Sequence, residues 1–162
     1  MQEYVLTYAV GTQEDAVLLV LKDRPKWQAG RLNLPGGKLE GNEDPLAAAN
    51  RELVEEAGLP IVARTAKKMG VILGTQCVVH CVRGNVAAMT INPREGETEQ
   101  VEWFHWNDAL NDRRLMPNLR VILPLMRSGV SGWEISDDYQ TRKRTKEWHS
   151  VSMSIPDEKF FE

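Results

Sequence analysis

A chain of 162 residues with 42% apolar and 27% charged side chains has the size and mixture of one soluble globular domain, which excludes disorder as a reading of its first 130 residues. Its net charge of −3 excludes bulk attraction to nucleic acid or to an anionic membrane surface. No apolar run approaches the roughly 20 residues of a membrane helix, and the opening "MQEYVLTYAV" has no basic segment of the kind that starts a secretory leader.

In chain order, "EYVLTYAV" and "DAVLLVLK" are two β-prone runs separated by a turn-rich five, "GTQED". They read as a hairpin. "RPKWQAGRLNLPGG" follows as a loop with a short extended piece around Leu32 to Leu34, and Gly36-Gly37 reads as a turn that lets backbone approach a ligand. A helix comes next. Asp44 is a good N-cap, Pro45 suits the first helical position, and Gly58 stops the helix in left-handed geometry. Leu46, Ala49, Leu53 and Ala57 fall on one face at helical spacing. "KMGVILGTQCVVHCVRGNV" is strand material broken at Gly74 and Gly84. Cys77 and Cys81 on such a strand stand about 13 Å apart, too far for a disulfide, and read as reduced, buried thiols of a cytoplasmic protein. A metal pair with His80 is the alternative for them. "QVEWFHW" is a further strand and "NDAL" a turn or short helix. "NLRVILPLMRSG" is a second helix, bent or ended near Pro124 and finished by Gly129.

From Gly132 the composition shifts to alternating charge blocks with few aliphatics. Trp133, Tyr139, Trp148, Phe160 and Phe161 are too many rings for a freely solvated tail. Residues 132 to about 155 are therefore expected to be ordered, either as an added hairpin or packed on a second subunit, with "GWEISDDY" supplying a strand at a sheet edge.

The helix poses the functional question. At 100° per residue, Glu52, Glu55 and Glu56 share one arc beside the apolar one. Like charges at these spacings repel by a few tenths of a kcal/mol per pair on an isolated helix. A divalent cation among them removes that cost, and hard oxygen ligands with room for water and phosphate suit Mg²⁺, with Mn²⁺ as a substitute. Arg51 lies one turn before Glu55 and can hold a carboxylate by a forked pair. A solvated acidic face is the plain alternative, but it makes no demand on Gly36, Gly37, Glu43 or Arg51.

Gly37, five residues, Glu43, seven residues, Arg51-Glu52-Leu53, one residue, Glu55-Glu56, one residue, Gly58-Leu59 resembles the Nudix box at each defined position. The order of elements from about residue 3 to 128 is similar to the Nudix fold, an α/β/α sandwich with a mixed β-sheet between helices. That places a Nudix domain at 1–130 and a C-terminal extension at 131–162. The resemblance implies a metal-dependent hydrolase of a diphosphate linkage in a nucleoside diphosphate joined to another group. It implies Glu52, Glu55, Glu56 and a backbone oxygen near Gly37 as metal ligands, and Arg51 as their orienting partner. Glu43 would brace the loop. The general base is one of Glu55, Glu56, Glu97 or Glu99, with Glu99 preferred.

"WQAGRLNLPGGK" and "MPNLRVILPL" resemble the MutT-type branch that acts on oxidised purine triphosphates. By that resemblance Asn33 reads a purine edge. Lys22, in the second strand, is a phosphate-binding candidate, Trp27 either stacks on a base or caps the core, and Asn118 is a candidate for the substrate pocket. The sequence departs from that branch at Met116-Pro117-Asn118-Leu119, where the branch has an aromatic residue, proline and two acids. A (d)NTP diphosphatase giving NMP and pyrophosphate is the expected activity. Hydrolysis of ADP-ribose, a dinucleotide or an RNA 5′ end is the alternative, the last prompted by Arg142, Lys143, Arg144 and Lys146 beside Trp148. The other class is a Nudix-fold nucleotide-binding module without catalysis. The expected partner is a small-molecule nucleotide, and a homodimer is one expectation for the extension.

Overall fold

The computed structural model describes residues 1–137 and 151–154. Its strands are β1 (Gln2–Val10), β2 (Ala16–Leu21), β3 (Leu32–Asn33), β4 (Gly36–Lys38), β5 (Lys67–Leu73), β6 (Cys77–Asn85), β7 (Gln100–His105), β8 (Trp133–Asp137) and β9 (Val151–Ser154). The helices are α1 (Pro45–Ala57), α2 (Trp106–Asn111) and α3 (Leu119–Ser128), with a 3₁₀ turn at Ala63–Thr65. The expected single mixed sheet is two sheets. The larger has the order β4-β1-β6-β5-β8-β9 and the smaller is β3-β2-β7.

The hairpin reading of β1 and β2 is corrected here. β1 pairs with β6 in parallel and with β4 in antiparallel fashion, whereas β2 pairs with β3 and β7. Both strands are apolar on both faces, so neither needs the other to cover it. Tyr8, Val17 and Leu19 enter one core, shared with Leu119, Ile122, Leu123 and Met126 of α3. Val5, Ala9 and Leu18 enter a second core, shared with Ala48, Ala49, Leu53 and Ala57 of α1. The strands thus lie between two helical layers, as an α/β/α sandwich requires.

α1 follows its end signals. The Asp44 side chain accepts from Ala47 N at 2.8 Å, and Gly58 takes the left-handed conformation with φ 69°. Leu46, however, is exposed, and the buried face turns to include Ala48 and Glu56. Three further local readings change. Gly36-Gly37 is strand, not turn: a Cβ on Gly36 would overlap the Val5 carbonyl oxygen across the β1–β4 pair. Gly84 stays within β6, where its missing side chain makes room for Ile61. Pro124 lies inside α3 without ending it, and the helix runs on to the left-handed Gly129.

β8 pairs in parallel with β5, and β9 in antiparallel with β8. Trp133 and Ile135 are buried in the α3-side core, and the Trp133 ring lies where a Cβ on Gly70 would be. Tyr139, the basic run with Trp148, and Phe160 and Phe161 lie outside the described residues. No disulfide forms among the described residues, and Cys81 is buried in the core. No described helix is long and apolar enough to cross a membrane.

The burial of Trp133 and Ile135 generates a prediction. Trp133→Ala should cost about 3–5 kcal/mol and lower Tm by roughly 10 °C or more, and truncation after Ser131 should lower it at least as far. Thermal melts that leave Tm unchanged in both would show that β8 adds nothing to the core.

Candidate active site

The second half of α1 presents its carboxylates toward β4, and Arg51 gathers them. Its Nε donates to both Glu43 oxygens at 3.2 and 3.1 Å, and its Nη2 to Glu43 Oε1 at 2.6 Å and to Lys38 O at 3.0 Å. Its Nη1 donates to Glu52 Oε1 at 2.9 Å and meets Glu55 Oε2 at 3.5 Å. These bonds hold the Glu43 carboxyl below its usual range. Glu43 Oε1 also accepts from Glu40 N at 2.8 Å, so the loop before the helix is tied to the helix itself. A Cβ on Gly37 would overlap the Glu52 carboxylate, which explains the second glycine.

Glu56 is the unusual member. It is only 6% exposed. Its Oε1 accepts from Gly36 N at 3.2 Å, while its Oε2 is buried with no hydrogen-bond partner. Burial pushes its pKa up to about 8, Glu52 adds to the rise, and Lys22 and the Gly36 N–H act against it. Lys22 is fixed in turn by Glu99: Nζ donates to Oε1 at 2.9 Å, and Oε2 accepts from Asp23 N at 2.7 Å. Thr98 Oγ1 donates to Asp23 Oδ2 at 2.7 Å, so the loop before β7 is stitched to the end of β2.

Another part of the cleft depends on a β-bridge between Leu32 and Leu115. Leu32 N donates to Arg114 O, and Met116 N donates to Leu32 O. This sets the turn before α3 beside β3 and brings Asn118 and Asn33 to the same cavity. Asn33 Oδ1 accepts from Leu34 N at 2.8 Å, and its Nδ2 donates to Gln28 Oε1 at 3.2 Å. Asn118 is buried, with Oδ1 lacking a hydrogen-bond partner.

One cleft of about 820 Å³ is lined by Lys22, Trp27, Asn33, Gly37, Arg51, Glu52, Glu55, Glu56, Glu97, Glu99 and Asn118, while Glu43 is bonded to Arg51. The sequence reading missed Gln28 and Arg94, which also line it. Gln28 had one signal, its place beside Trp27 in the loop. Arg94 had none: its loop reaches the site because Asn92 N and Arg94 N donate to the Ala57 and Glu55 carbonyls at the end of α1.

Among the described residues no three carboxylate, imidazole or thiol groups already converge as a cation cage; Glu43, Glu52 and Glu55 are paired with Arg51 instead. The donor set still fits a hard divalent cation. It consists of carboxylate and backbone oxygens, it includes the unpartnered Glu56 Oε2, and the missing Gly37 side chain lets the Glu52 carboxylate lie directly against the β4 backbone.

Comparison with known proteins gives consistent results. The family model for the NUDIX domain matches residues 4–126. A curated relative from Mycobacterium tuberculosis, "Putative 8-oxo-dGTP diphosphatase 2", is 49% identical over 45 residues, 28% of this chain and 32% of that protein. The chain thus matches about a third of that relative's length. A crystal structure of a MutT protein from Bacillus halodurans aligns over 95% of this chain and 98% of its own, with TM-score 0.74 and 18% identity. An ADP-ribose pyrophosphatase from Streptococcus suis aligns over 91% and 96%, with TM-score 0.60 and 18% identity. At these identities the two structures share the fold.

Glu56 makes the cation-free protein sensitive to pH. Its carboxyl ionises near its ordinary 4.5 in the unfolded chain and near 8 in the fold. Between those values the folded chain holds the extra proton, so stability falls as pH rises through that window, by no more than ~1.4 kcal/mol per pH unit. In melts with EDTA from about pH 5 to about pH 8, wild-type Tm should fall relative to Glu56→Gln. Parallel curves would mean that Glu56 is already ionised in the fold.

Proposed function

The chain belongs to the Nudix family of hydrolases, and on that premise we propose that it is a nucleoside triphosphate diphosphatase, releasing a nucleoside monophosphate and pyrophosphate. The observation behind this reading is a single cleft lined by two chemically different sets of side chains. The box carboxylates, Arg51 and Lys22 form one, and Trp27, Asn33 and Asn118 with apolar Leu6 and Val79 form the other. A nucleotide divides the same way into a charged phosphate chain and a flat base with polar edges. The short match to the Mycobacterium tuberculosis relative supports a purine triphosphate. Leu119 stands where the oxidised-purine branch has its second acid, so the pocket relies on amides to read the base.

Glu52, Glu55 and Glu56, with a backbone oxygen from the Gly37 strand, would hold Mg²⁺, with Mn²⁺ as a substitute; the bound cation supplies charge neutralisation along the diphosphate and acidifies the attacking water. The chain's own residues do the rest. Arg51 keeps the carboxylates apart from one another's charge and fixed in direction. Glu56, whose buried Oε2 has no hydrogen-bond partner, is the carboxylate proposed to take the water's proton. Glu99 has a partner on each oxygen, so it positions Lys22, whose ammonium contributes positive charge beside the phosphate path. Trp27 offers a ring face to the base. Asn33, its oxygen engaged by Leu34 N, offers an N–H to a base acceptor, and the buried Asn118 oxygen seeks a base donor.

Two outcomes test this reading. Glu55→Gln and Glu56→Gln should each reduce Mg²⁺-dependent turnover of nucleoside triphosphates by about 10²-fold or more in a folded protein. Normal turnover in both variants would remove the box from the chemistry. Asn33→Ala should weaken purine nucleotides by roughly 1–3 kcal/mol in kcat/KM and pyrimidine nucleotides less. An equal loss for all bases, measured across the eight common triphosphates, would reduce Asn33 to a loop-shaping role.

A further inference from the structure

Arg94 belongs to no motif of the sequence, yet its guanidinium is bonded to a carboxylate of the box. Nη1 lies 2.9 Å from Glu55 Oε1, and Nη2 donates to Glu97 Oε1 at 2.9 Å. The other Glu55 oxygen faces Arg51 Nη1 at 3.5 Å. Both oxygens of Glu55 therefore face guanidinium groups, and a cation binding at Glu55 would meet the positive charge of Arg94 beside it.

The two arginines are held very differently. Arg51 has a 21% exposed side chain and is locked by Glu43, Glu52 and the Lys38 carbonyl. The Arg94 side chain is 58% exposed, and the ion pairs of its guanidinium among the described residues are to Glu55 and Glu97. Its backbone is anchored, because its N–H donates to Glu55 O at 2.9 Å. The side chain can leave Glu55 while its Cα stays at the rim of the cleft. That a ligand belongs in this cluster has independent support in Glu56 Oε2, buried and unpartnered in the same cavity.

We propose that Arg94 is a resident counter-ion of the active site: it neutralises Glu55 in the cation-free protein, yields that carboxylate to a divalent cation, and then grips a phosphate of the incoming nucleotide. This rests on the hydrolase reading above and adds a residue to it. Four glutamates within reach of Arg51, at positions 40, 43, 52 and 55, outnumber its single positive charge. A half-exposed second guanidinium lowers the repulsion without blocking the site permanently. Once released, its planar fork matches two phosphate oxygens, which a lysine ammonium cannot do.

The test separates metal binding from turnover. Mn²⁺ is titrated into the nucleotide-free protein by calorimetry or electron paramagnetic resonance, for wild type, Arg94→Gln, Arg94→Lys and Glu55→Gln, with melting curves to check folding. Arg94→Gln should bind Mn²⁺ about two- to fivefold more tightly than wild type, while Arg94→Lys stays close to wild type. With Mg²⁺ saturating, both Arg94 variants should raise KM for a nucleoside triphosphate, roughly tenfold for Arg94→Gln. Unchanged or weaker Mn²⁺ binding in Arg94→Gln overturns the counter-ion role, and an unchanged KM overturns the phosphate contact. Glu55→Gln should bind Mn²⁺ more weakly; if it does not, the assignment of Glu55 to the metal site fails, and this proposal with it.

Discussion

The whole site depends on one guanidinium. Arg51 links the loop carrying Glu43, the β4 carbonyl of Lys38 and the α1 carboxylates Glu52 and Glu55 into a single network. An arginine stays charged at every accessible pH, and the surrounding carboxylates strengthen that hold by raising its pKa further. Without it, three acids on two segments would repel one another. The loop would lift off the helix, and Gly37 would lose its register beside Glu52. A lysine could balance one of those charges. It could not span three carboxylates and a carbonyl with one rigid plane.

A second constraint is steric. β4 is squeezed between β1 and α1, and neither Gly36 nor Gly37 has room for a Cβ. That closeness brings the Gly36 N–H to Glu56 and leaves the Glu56 carboxyl buried. Fold and chemistry are coupled at this point: the same contact that seats the short strand also withdraws a carboxylate from water.

The sequence was most legible where chemistry is local. Asp44, Pro45 and Gly58 mark α1 because caps act within one turn, and the box spacing encodes which acids share a helix face. It was least legible where partners are distant. The apolar runs of β1 and β2 identify strands, but a strand covered on both faces says nothing about which neighbour it takes. Gly84 and Pro124 read as breaks because glycine and proline usually are. Tertiary packing against Ile61 keeps the first in a strand, and the second sits in a helix whose buried face already pins it to the core. At the site, Asn33 and Lys22 were visible because they flank the box. Arg94 was not, since a loop's docking on the carbonyls of α1 leaves no periodic mark. The burial of Glu56 was also hidden, because a helical wheel places a side chain on an arc but not at a depth.

The position of β8 has a bearing on how the chain matures during synthesis. The parallel pairing of β5 with β8 joins segments more than sixty residues apart, and the apolar layer over α3 lacks its largest ring until Trp133 arrives. On the ribosome β1, β4, β5 and β6 leave the exit tunnel before β8. For that interval the β5 edge is an open row of backbone donors and acceptors beside exposed apolar side chains, the kind of surface that chaperones hold and that neighbouring nascent chains can join. The arrival of β8 thus closes this part of the core, and until then the nascent chain presents a β5 edge waiting for its partner.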